Sequence, residues 1–296
     1  MTNTGTLGFI GLGVMGEPIC RNIMHASSGA MIAFDIRPEP LRRLQSEGAR
    51  IVSSIGEVAG HADIIFLSLP GGAEVEETVL GDGGLLANGR SGQVVVDLST
   101  CPVETARGVA LAAAEQGIKF ADAPVARTRQ AAEDGTLSVM VGCDGETFQL
   151  IRPLLAAAAT EITHCGDVGA GQVVKLMNNM VLFQTVVALA EAFTVAERAG
   201  VAPEVLGDAM SKGSADSFGL RNHGLKAMLK QNFPVGAFAT DYAIKDISYA
   251  LELAADCKVC IPAAELARSI LKRTSEAGFG QEYFPVLIKL VAEKQS

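Results

Sequence analysis

Short apolar runs alternate with longer amphipathic stretches along the first half of the chain. Runs at 7–10, 31–34, 64–69, 94–98, 120–123 and 138–141 predict strands, because four to six apolar residues bounded by turn formers suit a strand buried on both faces. Between them, 16–25, 41–47 and 104–116 carry helical periodicity and are long enough for right-handed crossovers. This alternation predicts βαβ units and a parallel sheet. After Gly166 the strand-like runs nearly vanish. A proline-free pattern over 172–199 stops at Gly200 and predicts one long helix, with further helices at 203–211, 218–230, 236–256, 262–277 and 283–293. The near-continuous apolarity of 181–192 predicts burial on several faces, including one against another subunit.

Composition sharpens that picture. With 296 residues, 49% of them hydrophobic and 19% charged, the chain is long enough for two cores. The change of pattern places an α/β domain at 1–166 and an all-α domain at 167–296, joined by the long helix. A formal charge of −9 argues against a nucleic-acid partner. No apolar run approaches the length of a bilayer span, and Met1-Thr2-Asn3-Thr4-Gly5 carries no secretory pattern, so a cytoplasmic protein without a membrane partner is expected. The six cysteines, including Cys257-Lys258-Val259-Cys260, read as free thiols, and no metal site is expected.

The first strand runs directly into Gly11-Leu12-Gly13-Val14-Met15-Gly16. In such a turn the first glycine permits the tight bend, and the second lets the backbone approach a pyrophosphate. The third lets the next helix pack closely on the strand. All six residues are candidate cofactor contacts, and the helix N-terminus adds N–H groups and positive dipole. Asp35 closes the second strand about 20 residues on, where an acid accepts from ribose hydroxyls. Its carboxylate favours NAD, while Arg37 leaves NADP possible. A cap on the helix near Pro38 is the alternative use of Asp35. The prediction is a Rossmann-type, doubly wound parallel sheet.

Five ordered segments extend the likeness over essentially the whole chain. They are 8–22, Leu67-Ser68-Leu69-Pro70, Asp97-Leu98-Ser99-Thr100, Asp122-Ala123-Pro124-Val125 with Gly135-Thr136-Leu137, and Gly169-Ala170-Gly171-Gln172-Val173-Val174-Lys175-Leu176-Met177-Asn178-Asn179. Together they resemble the β-hydroxyacid dehydrogenase family, which includes 3-hydroxyisobutyrate dehydrogenases and tartronate semialdehyde reductases. The resemblance implies that Lys175 is the catalytic acid/base and that Asn179 orients substrate and lysine, with Ser99 and Asn178 on the substrate side. It implies that Leu69, Pro70 and Thr100 touch the cofactor from strand ends, and that Lys245 approaches the nicotinamide. Physical reasoning suits Lys175 to that role, since burial and the helix N-terminus both disfavour its charge. Asn178 and Asn179 follow at i+3 and i+4, so either lies beside it on one helix face. For Lys245 the alternative is a surface ion pair with Asp241, four residues earlier.

One loop departs from the family. Where the usual sequence is Asp-x-Pro-Val-Ser-Gly-Gly, this chain has Ala126-Arg127-Thr128 after Val125. The variant resembles the loop of sulfolactaldehyde reductases, in which Arg and Thr help bind a sulfonate, although Leu182 stands where that branch has a serine. Arg127 suits an anion clamp because its planar donors match carboxylate or sulfonate oxygens. Pairing with Glu133 or Asp134 is the alternative. None of His25, His61, His164 and His223 matches a family catalytic position.

The resemblance therefore implies hydride transfer between NAD and a small anionic 3-hydroxyacid in a homodimer or homotetramer, with sulfolactaldehyde and tartronate semialdehyde as alternative substrates. A non-catalytic dinucleotide-binding module and an imine reductase are the rival readings, and Lys175 speaks against both.

Overall fold

The structure is a computed structural model that describes residues 5–293. Strands β1 (Leu7–Ile10), β2 (Met31–Phe34), β3 (Arg50–Ile51), β4 (Ile64–Leu67), β5 (Val94–Asp97) and β6 (Lys119–Asp122) lie parallel in the order β3-β2-β1-β4-β5-β6. Helices α1 (Gly16–Ala26), α2 (Pro38–Ser46), α3 (Ile55–His61), α4 (Gly72–Leu80), α5 (Leu85–Asn88) and α6 (Val103–Glu115) make the connections. Strand order reverses between β1 and β4, the position at which an open α/β sheet binds ligands beyond its strand ends. Every residue of β1, β4 and β5 is buried, as parallel strands covered on both faces require. Side chains alternate between the faces: Phe9, Phe66 and Val96 join one core, and Ile10, Ile65, Leu67 and Val95 join the other.

Beyond β6 the sheet departs from the parallel expectation. The chain continues through β7 (Val125–Ala126), α7 (Arg129–Glu133), β8 (Leu137–Gly142), α8 (Gly145–Leu155) and β9 (Ala159–Gly166). β8 covers the predicted strand at 138–141 but runs antiparallel to β6, meeting it at Asp122 and Gly142. Its cause is local: β7 folds straight back onto β8, and the five-residue α7 is too short for a parallel crossover. β9, which runs parallel to β8, carries no apolar run. Its Thr160, Glu161, Thr163 and His164 are exposed, so the hydrophobic pattern gives no sign of it.

Two compact units divide the chain, the first ending at Lys175 and the second beginning at Leu176. The cut falls inside α9 (Ala170–Arg198). The second unit contains the rest of α9, then α10 (Pro203–Ser211), a π-helical segment Leu220–Met228, α11 (Thr240–Asp256), α12 (Pro262–Thr274) and α13 (Ile288–Ala292). By length and composition α9 would pass for a membrane span, with mean hydropathy 1.5. Its Phe183, Val186, Ala190 and Phe193 are instead buried in the second core, where Phe183 meets Phe284 edge-on at 5.3 Å.

Candidate functional site

The turn after β1 is built by steric necessity. Gly11 has φ +91°, and a Cβ there would sit 2.3 Å from the Ser68 carbonyl oxygen. A Cβ on Gly13 would meet no protein atom within 4 Å, so a side chain there would fill the approach to the backbone without striking the fold. No side chain caps the first turn of α1, which begins at Gly16, and its N–H groups keep the character of an anion site. Leu12 and Gly16 are buried in packing, Val14 is exposed, and Met15 packs at the edge of the first core.

Asp35 belongs to this turn rather than to α2. Its Oδ2 accepts from Leu12 N at 2.5 Å, and its Oδ1 accepts from Arg37 N at 2.7 Å and Nε at 3.2 Å. Arg37 Nη2 donates to Leu12 O at 2.9 Å, closing the loop, while α2 lacks a side-chain cap. An open glycine cradle, an uncapped helix start and an acid at the end of β2 fit the pyrophosphate and ribose of a dinucleotide.

The strand ends next to the turn are held by buried acids. Asp97 and Asp122 lie in register on β5 and β6, both fully buried. Burial pushes Asp97 up to about 7, against the pull of the Ser99 bonds. It pushes Asp122 up to about 6, although backbone N–H groups at Gly169 and Gln172 draw it down. Ser99 N donates to Asp97 Oδ1 at 2.9 Å, and Ser99 Oγ accepts from Leu69 N at 2.8 Å. The hydroxyl of Ser99, expected on the substrate side, thus ties the Leu69-Pro70 strand end to that of Thr100.

Lys175 is 7% exposed and Asn179 2% exposed, one turn apart on α9. Asn179 Nδ2 donates to Asp246 Oδ2 at 2.7 Å, and its Oδ1 accepts from the exposed Asn178 at 3.1 Å. Lys245 Nζ lies 3.2 Å from Asp246 Oδ1, an ion pair without hydrogen-bond alignment, and over the rings of Tyr242 and Tyr249 at 5.6 and 5.3 Å. Asp241 does not take Lys245; it accepts from Ser275 at 2.6 Å and Gln281 at 2.9 Å. Sequence reasoning missed Asp246. Its signal was available, because an acid occupies the apolar stripe Ala243, Ile247, Ala250 and Ala254 of α11.

Arg127 makes neither expected ion pair. It holds φ +91°, and its Nη1 donates to Thr136 O at 2.5 Å and Thr160 Oγ1 at 3.0 Å. Glu133 pairs with Arg129 instead, and Asp134 with Gln130. Thr128 caps α7, its hydroxyl accepting from Ala131 N at 3.3 Å. Among the described residues no group of His, Cys, Asp and Glu could hold a metal ion, and all six cysteines are free.

Comparisons with known proteins agree over both units. Residues 6–166 match the NAD binding domain of 6-phosphogluconate dehydrogenase, and residues 169–291 match the NAD-binding family of NADP-dependent 3-hydroxyisobutyrate dehydrogenase. The chain is 35% identical to 2-(hydroxymethyl)glutarate dehydrogenase of Eubacterium barkeri, over 96% of this chain and 94% of that protein. It is 34% identical to 3-hydroxyisobutyrate dehydrogenase of Pseudomonas aeruginosa, over 92% of each. Among solved structures, 3-hydroxyisobutyrate dehydrogenase of Mycobacterium tuberculosis with L-serine superposes with a TM-score of 0.89 at 30% identity, covering 98% of this chain and 99% of that one.

Proposed function

The chain belongs to the NAD-dependent β-hydroxyacid dehydrogenase family, and on that premise we propose that it oxidises a small anionic 3-hydroxyacid to its semialdehyde, reversibly, with Lys175 as the acid/base. The observation that carries this reading is the pair Lys175 and Asn179, both buried one turn apart at the start of α9. Leu69, Pro70 and Thr100 would hold the nicotinamide, which when bound would supply the acceptor for the hydride. In the oxidation, Lys175 takes the hydroxyl proton as the carbinol hydrogen leaves, and Asn179 holds the hydroxyl in place. Asp246 fixes the Asn179 amide, because a carboxylate accepts only and so turns the NH2 end toward itself.

Gly11–Gly16, Asp35, Leu69, Pro70, Thr100 and Lys245 form the proposed cofactor contacts. NAD is the favoured form, since taking a 2′-phosphate would require Arg37 to leave Asp35 and Leu12. Ser99, Arg127, Thr128, Asn178 and Asn179 form the proposed substrate side. Arg127 meets the substrate's anionic end through its remaining N–H donors on Nε and Nη2.

The proposed oligomer is a homodimer or homotetramer. Val174, Val181, Ala188 and Val195 are exposed along one side of α9, at the seven-residue spacing that pairs helices. Free thiols and the acidic surface accord with a cytoplasmic location and with no nucleic-acid partner.

A spectrophotometric screen of 3-hydroxyisobutyrate, 3-hydroxypropionate, L-serine and 2-(hydroxymethyl)glutarate with NAD and NADP tests the reading. Turnover of at least one acid, faster with NAD, is expected. Absence of NAD reduction by every acid would overturn it.

A further inference from the structure

Gln172 is fully buried three residues before Lys175 and has every polar atom of its carboxamide engaged. Its Nε2 donates to Ser99 O at 2.8 Å, and its Oε1 accepts from Cys101 N at 3.2 Å. One side chain therefore brackets Thr100 from both sides. Its own backbone N donates to Asp122 Oδ2 at 2.7 Å, while Asp122 Oδ1 accepts from Gly169 N at 2.6 Å. Nothing larger than glycine fits between these anchors, since a Cβ on Gly171 would lie 2.4 Å from Met140 O and 2.8 Å from Asp122 Oδ2.

An amide buried this completely costs stability unless paired at both ends, and here both ends pair with buried backbone groups that would otherwise be left unsatisfied. What the amide adds is registration. Through Ser99 Oγ and Leu69 N, the clasp reaches the second strand end as well. Leu69, Pro70 and Thr100 are thereby referred to the first turn of α9, one turn from Lys175.

We propose that Gln172 is a positioning residue for the dehydrogenase reaction: its carboxamide sets the distance between the nicotinamide-facing strand ends and Lys175, and Asp122 holds the backbone end of the same clasp. The proposal rests on the assignment of Lys175 made above. A misplacement of about 1 Å between reacting groups costs about 100-fold in rate, so the clasp acts on the chemical step and not on cofactor affinity.

The test is Gln172→Met, which keeps the volume and removes both bonds. Steady-state kinetics, NADH binding by fluorescence and the isotope effect with substrate deuterated at the carbinol carbon are read together. The expected result is a kcat lower by about 30- to 100-fold, an NADH dissociation constant within about threefold of the parent, and a larger isotope effect on kcat. A folded variant with kcat within about threefold of the parent overturns the proposal. So does a variant that loses NADH affinity, kcat and thermal stability together, because that is general loosening.

If Gln172→Met does not fold, Gln172→Asn keeps a carboxamide but is one methylene too short to reach Ser99 O and Cys101 N together. Its kcat should fall about tenfold with NADH affinity retained, and an unchanged kcat overturns the proposal. Lys175→Ala separates the two claims. Surviving turnover there overturns the assignment of Lys175, whereas near-parent kcat in Gln172→Met beside an inactive Lys175→Ala overturns only the clasp.

Discussion

Gly11 and Arg127 share a backbone φ of +91°, yet one is a glycine in the proposed cofactor turn and the other an arginine in the proposed substrate loop. At Gly11 the choice is forced, because a Cβ would collide with the Ser68 carbonyl. At Arg127 the same angle costs a non-glycine residue about 1–3 kcal/mol. Two bonds from Nη1, to Thr136 and Thr160, anchor the far end of the side chain. A glycine would relax that backbone, so the arginine is there for its guanidinium. The proposed cofactor turn is settled by sterics, and the proposed substrate loop by side-chain hydrogen bonds imposed on an unfavourable backbone.

The largest effects should come from the glycines. Gly11→Ala is expected to lose NADH binding and to unfold or destabilise by more than about 3 kcal/mol, since it combines a backbone clash with an unfavourable φ. Gly13→Ala should keep the parental unfolding temperature, because its methyl meets no protein atom within 4 Å, while weakening NADH at least about tenfold if it occupies the proposed pyrophosphate approach. Calorimetry with fluorescence titration reads both, and parental NADH affinity in Gly13→Ala would remove that glycine from the cradle.

Arg127→Gly sharpens the other side. Its KM for the best acid should rise about tenfold, with kcat for saturated enzyme much less affected. The unfolding temperature should stay level or rise, as strain relief offsets the two lost hydrogen bonds. An unchanged KM would leave Arg127 as a structural anchor only.

The smallest effect is an opposed response of the two units to pH. In the second unit His223 is buried beside Phe218 and Phe284, with its Nδ1 bonded to the Tyr283 hydroxyl and its Nε2 unpartnered. Burial lowers it from 6.5 to about 4, so the unfolded chain takes up the proton first. Its stabilisation is full above about 6.5 and is lost as pH falls toward 4. Asp97 runs the other way: burial raises it from 3.8 to about 7. Its contribution is full below about 3.8 and declines as pH rises through about 7. Hydrogen exchange at pH 5 and 7, corrected for intrinsic rates, should show the second core less protected at pH 5 and the β5–β6 region more protected. A common direction in both units would contradict these assignments.

Much of the first unit was legible in the sequence because its signals are local. The strands at 7–10 and 31–34 hold to the residue, since a central parallel strand is an uninterrupted apolar run. β9 was not legible, because an exposed edge strand carries polar side chains and is made by its neighbour β8. The direction of β8 depended on the two-residue β7, too short to leave a pattern.

At the site, the glycine turn, Asp35 and the order of motifs pointed to a dinucleotide and to Lys175. Asp246 showed in the sequence as an acid in the apolar stripe of α11, but its partner Asn179, like the pairing of Gln172 with Ser99 and Cys101, is long-range and not encoded by spacing along the chain. The unused roles fell for the same reason. Asp241 sits at the right distance from Lys245 along the helix, but the fold brings it Ser275 and Gln281.

The central claim is that Lys175 moves the proton in a dehydrogenase reaction. Lys175→Ala, assayed with the best 3-hydroxyacid and NAD, tests it most directly. Turnover should fall by about 10²- to 10⁴-fold while NADH affinity and unfolding temperature stay parental. Turnover within about tenfold of the parent in a folded protein would contradict the account.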